Sequence, residues 1–599
     1  MSDPQHIRNF AIIAHIDHGK STLADRLIEV CSNTRHKDTL QQVLDSMEIE
    51  RERGITIKSQ TVQLSYKTQK GEQYLLNLID TPGHVDFSYE VDRSLSACEG
   101  SILVIDTTQG MEAQTLANVY KAFDNNHQII VALNKVDLPT SNINHTKQQI
   151  KDLIGFEGSI VEISAKTGQG VILLLETMIK KLPAPKPGKF PHQLQALLID
   201  SWYDQYIGVI LLVRVMSGQL KEGTKIKMMS NNIEYIVDKV GVFLPNKKIV
   251  VELNAGEIGF ISANIKQINH CNVGDTITTA QKACLEVLPG FQLSKPVIFC
   301  SIYPLNINDY YNMCDSMAKL RLNDSSFVYE SESSKALGFG FRCGFLGMLH
   351  LDIIQERLKR EFSLDLIATA PSVVYKFYLR DGTKVNVHNP VDMPDMAKVK
   401  YIEEPLAHTT IMLPKKYLGA VIALCISKRG VQKTLSYIDD RIMLVFKLPL
   451  NEIIFDFYDK LKSCSKGYAS CNWKLVDYSQ ADLVLLSIFI NHVVVDSLSF
   501  IIHHTTAQKK GREICLQLKS LIARHLFAIP IQAKMNGQII ARETISPLRK
   551  DVTAKCYGGD VTRKRKLLDK QKKGKRRLRS IGNVNIPQSA FISILKVVK

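Results

Sequence analysis

The chain has little of what marks secreted, metal-binding or membrane-spanning proteins. Its twelve cysteines stand singly, without a CxxC pair, which argues against a disulfide framework and against a zinc or redox motif of that spacing. We therefore expect a reducing, cytoplasmic compartment. The apolar runs reach only about ten residues, too short to span a bilayer as helices. No apolar run follows positive charge at the amino terminus, so we expect no signal peptide.

Positive charge, in contrast, is in excess. The chain holds 76 Lys and Arg against 59 Asp and Glu, a formal net charge of +17. An excess of this size favours an anionic partner, either nucleic acid or an acidic membrane surface. The 45% apolar and 23% charged fractions are ordinary for a globular protein. A chain of 599 residues is too long for one hydrophobic core, so several domains are expected. At about 150 residues per domain, the length predicts roughly four domains.

The pattern of short apolar runs divides the chain into five segments. Residues 1–185 alternate strand and helix patterns, which predicts an α/β domain with a mostly parallel sheet. Residues 186–290 begin with a Pro-rich linker and have short, Gly-punctuated strands typical of a β-barrel. Residues 291–378, closed by the strand pattern PSVVYKFY, and residues 379–480, after a linker, each follow the order βαββαβ of a ferredoxin-like unit. Residues 481–599 form a last domain that ends in a dense basic run. The predicted fold class is therefore multidomain, with α/β, β-barrel and α+β parts.

The segment FAIIAHIDHGKST places a phosphate-binding pattern between a strand and a helix. A triphosphate needs converging backbone N–H groups, a positive helix end, a cation and a hydroxyl for Mg²⁺. We predict that loop 14–19 wraps the phosphates, that Lys20 reaches the β and γ groups, and that Ser21 binds Mg²⁺. The first position of the pattern GxxxxGK[ST] is Ala14 instead of glycine, so other motifs have to support this interpretation.

Three further motifs follow, each at the end of a predicted strand. In DTPGH, Asp80 would hold a water of the Mg²⁺ shell, and the Gly83 N–H would sense a γ-phosphate. In NKVD, Asp137 would accept two hydrogen bonds that guanine donates and adenine does not. Residues 164–166 would back the base, and ligands of open α/β sheets bind at this edge, so the pattern predicts a GTP or GDP site with Mg²⁺. The predicted nucleotide-binding residues are Asp17, His18, Gly19, Lys20, Ser21, Thr22, Asp80, Gly83, Asn134, Lys135, Val136, Asp137, Ser164, Ala165 and Lys166.

Together with RGITI at residues 53–57, these motifs resemble those of the translational GTPases, the family of EF-Tu and EF-G. The resemblance implies that Thr56 is the switch I threonine, which joins Ser21 and, through a water, Asp80 around Mg²⁺. No arginine finger is evident in the sequence. The resemblance therefore implies an external trigger for hydrolysis, the ribosomal RNA.

The same resemblance assigns the residues around the attacking water. His84 would be the catalytic residue that orients this water, and Ile16 and Ile55 would form a hydrophobic gate beside it. Asp17 matches the aspartate associated with a monovalent cation in the family. Chemistry of this kind depends on positioning and charge neutralisation, without a covalent intermediate.

The carboxyl end concentrates the positive charge. Residues 555–579 hold twelve Lys and Arg and two Asp, a net of 12 − 2 = +10. Such density is either a solvated cationic helix or tail or a phosphate-binding surface. Nucleic acid is preferred because no acidic segment of comparable density exists in the chain, and a membrane surface stays open as an alternative although no lipidation motif is present. The predicted RNA-binding residues are Arg563, Lys564, Arg565, Lys566, Lys572, Lys573, Lys575, Arg576, Arg577 and Arg579.

Longer segments resemble one group of the family, LepA or elongation factor 4. They are ALGFGFRCGFLGMLHLDIIQERL at 336–358, ARET at 541–544, TRKRKLLDKQKKGK at 562–575 and GNVNIPQSAF at 582–591. EF-G places a tRNA-mimicking domain between its ferredoxin-like units, where only a short linker stands here, so forward translocation by such a domain is not expected. The last domain is therefore expected to be of the LepA type.

The resemblance implies a function and its partners. It implies a monomeric, ribosome-dependent GTPase that binds ribosomes in the GTP form and contacts ribosomal RNA and tRNA. The group is proposed to catalyse one-codon back-translocation of tRNAs, in support of fidelity and efficient synthesis under stress. We expect a cytoplasmic protein, with peripheral association at the cytoplasmic face of the bacterial inner membrane left open. Two alternatives remain: a GTP-dependent ribosome-assembly or RNA-binding factor, and a BipA-like stress GTPase.

Overall fold

The structure is a computed structural model. It describes residues 3–32, 44, 47–186, 188, 190, 193–204, 208–244, 246–265, 270–291, 295–334, 337–369, 371–438, 441–454, 456–548, 552–554 and 561–581. In these ranges no helix is long and apolar enough to cross a membrane.

The first domain is a sheet covered by helices on both faces. Its strands are β1 (Ile7–Ala14), β2 (Gln60–Lys67), β3 (Gln73–Asp80), β4 (Gly100–Asp106), β5 (Gln128–Asn134) and β6 (Ile160–Glu162). Its helices are α1 (Lys20–Ser32), α2 (Glu48–Arg53), α3 (Ser88–Ser96), α4 (Ala113–Asp124), α5 (Ile143–Ile154) and α6 (Val171–Lys181). The strand order is β2-β3-β1-β4-β5-β6, and β2 alone among these strands runs antiparallel to its neighbour.

The apolar runs explain this arrangement, because the central strands are buried on both faces. One core lies between the sheet and helices α1 and α6, and a second between the sheet and helices α3, α4 and α5. Since parallel strands point the same way, the loops after β1, β3, β4, β5 and β6 meet at one edge. The predicted motifs lie in four of these loops.

The second domain is a β-barrel, as its Gly-punctuated pattern predicts. Its strands are β7 (Gln195–Asp204), β8 (Gly208–Ser217), β9 (Gln219–Lys221), β10 (Lys225–Met228), β11 (Glu234–Ile236), β12 (Lys239–Leu244), β13 (Asn246–Ile249), β14 (Glu252–Asn254), β15 (Ile258–Ser262) and β16 (Thr276–Thr279). The main sheet has the order β11-β10-β16-β7-β8-β15-β12-β13, and β9 pairs with β14. Alternate apolar side chains fill the interior.

Two ferredoxin-like units follow. The elements of the first are β17 (Ile298–Pro304), α7 (Tyr310–Asn323), β18 (Val328–Ser334), β19 (Gly338–Phe345), α8 (Met348–Phe362) and β20 (Leu366–Ala368). The elements of the second and its added hairpin are β21 (Tyr375–Leu379), β22 (Lys384–Val387), β23 (Val399–Pro414), α9 (Leu418–Ser427), β24 (Val431–Ile438), β25 (Arg441–Pro449), α10 (Leu450–Ile454), α11 (Phe457–Cys464) and β26 (Ser470–Gln480). In both sheets the four strands of the βαββαβ unit lie side by side in the spatial order second, third, first, fourth, which is the ferredoxin-like arrangement.

The assignment of the strand in PSVVYKFY to the first unit, which set its boundary at residue 378, is wrong. The fourth strand of that unit is β20, and β21 pairs with β22 and β23 of the following sheet. The reason is packing: Tyr375 and Phe377 are almost completely buried in a core that continues through both units, which an apolar pattern cannot assign to either sheet.

The last domain combines a sheet with two helices. Its elements are β27 (Leu483–Ile490), β28 (Val493–Val494), β29 (Phe500–His503), α12 (His504–Leu521), β30 (Ile529–Met535), β31 (Gln538–Ile545) and α13 (Val561–Ile581). Helix α12 packs on the sheet through Ile514, Cys515 and Leu518. Helix α13 contains the predicted RNA-binding residues, but the side chains of Lys575, Arg576, Arg577 and Arg579 lie outside the described part.

Candidate functional site

The phosphate-binding loop connects β1 to α1. Asp17 and Gly19 both adopt positive φ, +64° and +89°, so the chain turns sharply before Lys20 begins α1. A Cβ on Gly19 would lie 2.4 Å from Nδ2 of Asn134, and this close approach explains why glycine stands there. The loop thereby directs backbone N–H groups and a helix amino terminus to one point, as phosphate binding requires.

Four side chains from three segments meet beside this loop. The Lys20 Nζ donates to Asp80 Oδ2 at 2.7 Å and to Thr56 Oγ1 at 2.9 Å. The hydroxyls of Thr56 and Ser21 lie 3.4 Å apart. Lys20, Thr56 and Asp80 are buried. Two hydroxyls and a carboxylate are hard oxygen ligands of the kind Mg²⁺ prefers, so the residues present fit a magnesium-bound triphosphate.

The base-binding motifs are tied to the phosphate loop by hydrogen bonds. Nδ2 of Asn134 donates to the carbonyl of His18 at 2.9 Å, and its Oδ1 accepts from the N–H of Ala165 at 2.9 Å. The Lys135 Nζ donates to the carbonyl of Asp17 at 2.7 Å. A single asparagine therefore joins the loops after β1, β5 and β6.

The predicted base-contacting residues lie at the rim of this arrangement. Asp137 is exposed just beyond β5, with Val136 half-buried beside it. Ser164 is buried, and Lys166 is exposed. Arg26 of α1 donates to the carbonyls of Ala165 and Lys166, at 3.1 and 2.8 Å, which holds the base-backing loop against the first helix. The exposed Thr22 follows Ser21 in that helix.

The His18 side chain points away from the ligand side. It is completely buried, and its Nδ1 accepts from the N–H of Asp106 at 3.3 Å. Burial lowers the pKa of His18 to about 3, so its ring is neutral at pH 7. Burial would raise the pKa of Asp106, but hydrogen bonds from Lys135 and Thr108 outweigh this effect and hold the pKa below its usual range. The buried ring thus leaves only the backbone of His18 for the predicted contact with a nucleotide.

The segments that carry Thr56 and His84, residues 47–58 and 81–89, are called switch I and switch II, and switch II lies against the phosphate loop. A Cβ on Gly83 would lie 3.5 Å from the backbone N of Ile16 and 3.6 Å from its Cγ1, so Ile16 is beside the turn that carries His84. Nδ1 of His84 accepts from the N–H of Asp86 at 3.1 Å. Ile55 packs against a cluster that includes Phe87. The two predicted gate residues thus flank the segment that carries His84.

Two acidic residues that the motifs do not indicate organise the switch segments. Glu50 accepts from the N–H of Met47 at 3.0 Å and from those of Ile57 and Lys58 at 3.0 and 3.2 Å. Asp86 accepts from the N–H of Leu349 at 2.9 Å, at the start of α8. Glu50 stands three residues after the helix cap and accepts from its N–H, but the cap is Met47 and not a capping residue type, so the sequence gives no capping-box signal.

Four protein families match successive parts of the chain. They are the Elongation factor Tu GTP binding domain over residues 5–184, Elongation factor Tu domain 2 over 208–278, the Elongation factor G C-terminus over 401–489, and the GTP-binding protein LepA C-terminus over 490–596. This order of domains ends in the part that distinguishes LepA. The chain belongs to the LepA group of translational GTPases. The resemblance inferred from the motifs is thereby confirmed.

Membership of the LepA group establishes the general activity of the chain. The LepA-type chain is a GTPase and a ribosome-associated factor, and the predicted fold class is confirmed. The chain is also similar to the crystal structure of a protein from Thermus thermophilus, with a TM-score of 0.58 and 15% identity over 80% of this chain and 97% of that one. At this identity the similarity supports the fold alone.

Proposed function

We propose that this chain hydrolyses GTP in response to ribosome binding and uses its GTP form to return tRNAs by one codon. The observation that carries the proposal is the meeting of Lys20, Ser21, Thr56 and Asp80 at contacts of 2.7 to 3.4 Å, in a chain whose last described element is a basic helix. The first feature is what a GTPase needs, and the second supplies a cationic surface for ribosomal RNA and tRNA.

Recognition and charge neutralisation come from separate parts of the site. Asp137 would accept hydrogen bonds from guanine, which sets the specificity for GTP and GDP. Ser21 and Thr56 would hold Mg²⁺, with Asp80 acting through a water, and the ion would neutralise charge on the phosphate oxygens. Asp17, exposed in the phosphate loop, would contact a monovalent cation.

Hydrolysis itself depends on positioning. His84 would orient the attacking water, with Ile16 and Ile55 as the gate that controls its approach. The His84 side chain is about three-quarters buried, so a shift of its turn moves the ring as a unit. We propose that contact with ribosomal RNA is the trigger for that shift.

Two features support the proposed direction of tRNA movement: the segment between the ferredoxin-like units, and the last domain. Between the ferredoxin-like units the chain forms a hairpin that extends the second sheet, where EF-G has its tRNA-mimicking domain. The basic helix α13 would instead contact the tRNA backbone. We propose a monomer acting on cytoplasmic ribosomes, and sedimentation with anionic vesicles would test the open alternative of membrane association.

The experiment compares GTP turnover by the full chain with and without ribosomes, and then reads ribosome position on messenger RNA by primer extension. We expect turnover to rise on ribosomes and post-translocation complexes to shift back by one codon with GTP. The Lys20→Ala variant, which loses the phosphate-contacting cation, is the control and should do neither. A rate of GTP turnover that does not rise when ribosomes are added would contradict the proposal. It would favour an assembly factor in which bound GTP only holds one conformation.

A further inference from the structure

A cation from the second ferredoxin-like unit reaches the first domain. Arg441 begins β25, and its guanidinium donates to the carbonyl of Met111 at 2.9 Å and to the carbonyl of Gln109. The same group lies 3.4 Å from Oε1 of Glu112. These acceptors belong to the loop between β4 and α4. The Arg441 side chain is 14% exposed, so the contact is largely shielded from solvent.

The carboxylate of Glu112 faces the phosphate loop on its other side. Its Oε2 lies 3.7 Å from Nε2 of His15, and the two side chains are 10% and 18% exposed. The His15 ring packs edge-on against His18, with ring centres 5.3 Å apart. Because His15 and His18 both belong to the loop between β1 and α1, one carboxylate connects Arg441 to the loop that wraps the phosphates.

The surrounding contacts make this a packed interface. Ala113, at the start of α4, donates its N–H to Oγ of Ser470 at 3.1 Å, and Ser470 begins β26. Met443, two residues after Arg441, packs against the core between the first sheet and α4. The pair of Arg441 and Glu112 is screened less by water than an exposed ion pair would be. Burial lowers the pKa of His15, so Glu112 faces a neutral ring on its other side.

We propose that Arg441 is a positioning residue for the nucleotide site, acting through Glu112 on His15 and hence on the phosphate loop. The inference rests on the proposed function only in requiring that this loop binds GDP or GTP. Coupling between two binding events is reciprocal. If docking of the second ferredoxin-like unit strengthens nucleotide binding by some free energy, bound nucleotide stabilises the docking by the same free energy. A movement that withdraws Arg441 therefore loosens the nucleotide, and release of the nucleotide loosens this unit.

The test is the dissociation rate of a fluorescent GDP analogue from the full chain, without ribosomes, after addition of excess GDP. Arg441→Ala should raise the rate about fivefold or more, the lower end of ordinary coupling between sites. Glu112→Gln should act in the same direction, and Arg441→Lys should restore part of the effect. Lys447→Ala is the matched control, because Lys447 lies on the same strand but pairs with Asp477 at the surface.

A second background separates positioning from general scaffolding. In a His15→Gln chain, Arg441→Ala should add no further increase, because the proposed path passes through His15. Two results would overturn this inference without affecting the proposed function. One is that Arg441→Ala raises the dissociation rate in the His15→Gln chain as much as in the native chain. The other is that neither Arg441→Ala nor Glu112→Gln changes the rate in the otherwise native chain. A native chain that binds no GDP would overturn the proposed function as well. If Arg441→Ala fails to fold, Glu112→Gln and Arg441→Lys provide the test.

Discussion

His84 is held by its own turn and not by the phosphate loop. It caps the turn Val85–Phe87, its Nδ1 accepts from the N–H of Asp86, and its ring centre is 6.3 Å from that of Phe87. In the neutral ring this bond leaves the proton on Nε2, the nitrogen that would then donate to a water or a phosphate oxygen. The geometry therefore separates the catalytic assignment of His84 from nucleotide binding.

This separation predicts the behaviour of His84→Ala. The variant should retain GDP affinity and ribosome binding and lose about 100-fold of ribosome-stimulated GTP turnover, because an unpositioned water reacts slowly. Stopped-flow measurement of phosphate release and equilibrium titration with GDP would measure the two effects. The control is His408→Ala, an exposed histidine on β23. Loss of GDP binding in His84→Ala would instead indicate a structural role.

At the residue scale, sequence motifs can predict side chains whose partner is the ligand, since ligand chemistry fixes their type and spacing. Asp80 and Asp137 are predicted as site residues on this ground. Side chains whose partners are backbone groups of distant segments leave no such pattern. The contact of Asp86 with the N–H of Leu349 spans two domains, and that of Arg441 with the carbonyl of Met111 does the same, so only the folded chain reveals them.

At the scale of elements, the switch segments dock on α8. Phe87 is completely buried and lies edge-on to His350, with ring centres 6.0 Å apart. Oδ2 of Asp324 bonds to Nε2 of His350 at 2.9 Å, and Oδ1 accepts from the hydroxyl of Tyr89 at 3.1 Å. Asp86 completes the contact at the first turn of α8. Switch II is therefore held against the first ferredoxin-like unit by ring packing and by hydrogen bonds.

The fit between Asp86 and α8 predicts the effect of Gly347→Ala. The backbone at Gly347 is extended, but a Cβ there would lie 2.0 Å from Cγ of Asp86. We expect the carboxylate to be displaced, at a cost of about 1–3 kcal/mol in this docking. Hydrogen exchange should become faster in peptides that contain the amides of Leu349 and His350.

The matched control for this variant is Gly419→Ala, since a Cβ built at Gly419 meets no described atom within 4 Å beyond its chain neighbours and the backbone of its own helix. Its exchange should match that of the native chain throughout α8. Unchanged protection in the Gly347→Ala chain would mean that Asp86 does not cap α8 in solution. The apolar periodicity of α8 predicts the helix, but not which segment covers its amino terminus, because that partner comes from another domain.

At the scale of the whole molecule, the excess positive charge is unevenly distributed around helix α13. In the part of α13 whose side chains are described, residues 561–574, the half-buried positions are Lys564, Leu567 and Gln571, which share one side of the helix. The opposite side presents its cations to solvent. They are Arg565, Lys566, Lys572 and Lys573, while Arg563 and Lys570 are also exposed but lie nearer the half-buried side. The sequence predicts the amount of charge here, and the structure adds which part of it faces outward.

This orientation predicts how salt affects ribosome binding. For each phosphate that a cation contacts, the logarithm of the binding constant falls by about 0.7 to 0.9 for every tenfold rise in salt concentration. Replacing the four outward cations with Gln should therefore lower the salt slope by about three units if all of them meet phosphate. Sedimentation of the GTP form with ribosomes at several salt concentrations measures this slope. The charge-matched control replaces exposed lysines of the first domain, Lys70, Lys151, Lys180 and Lys181, and should keep the native slope. If the two quadruple variants have equal slopes, these cations of α13 do not contact ribosomal RNA or tRNA, and their charge is either solvated or meets another anionic partner.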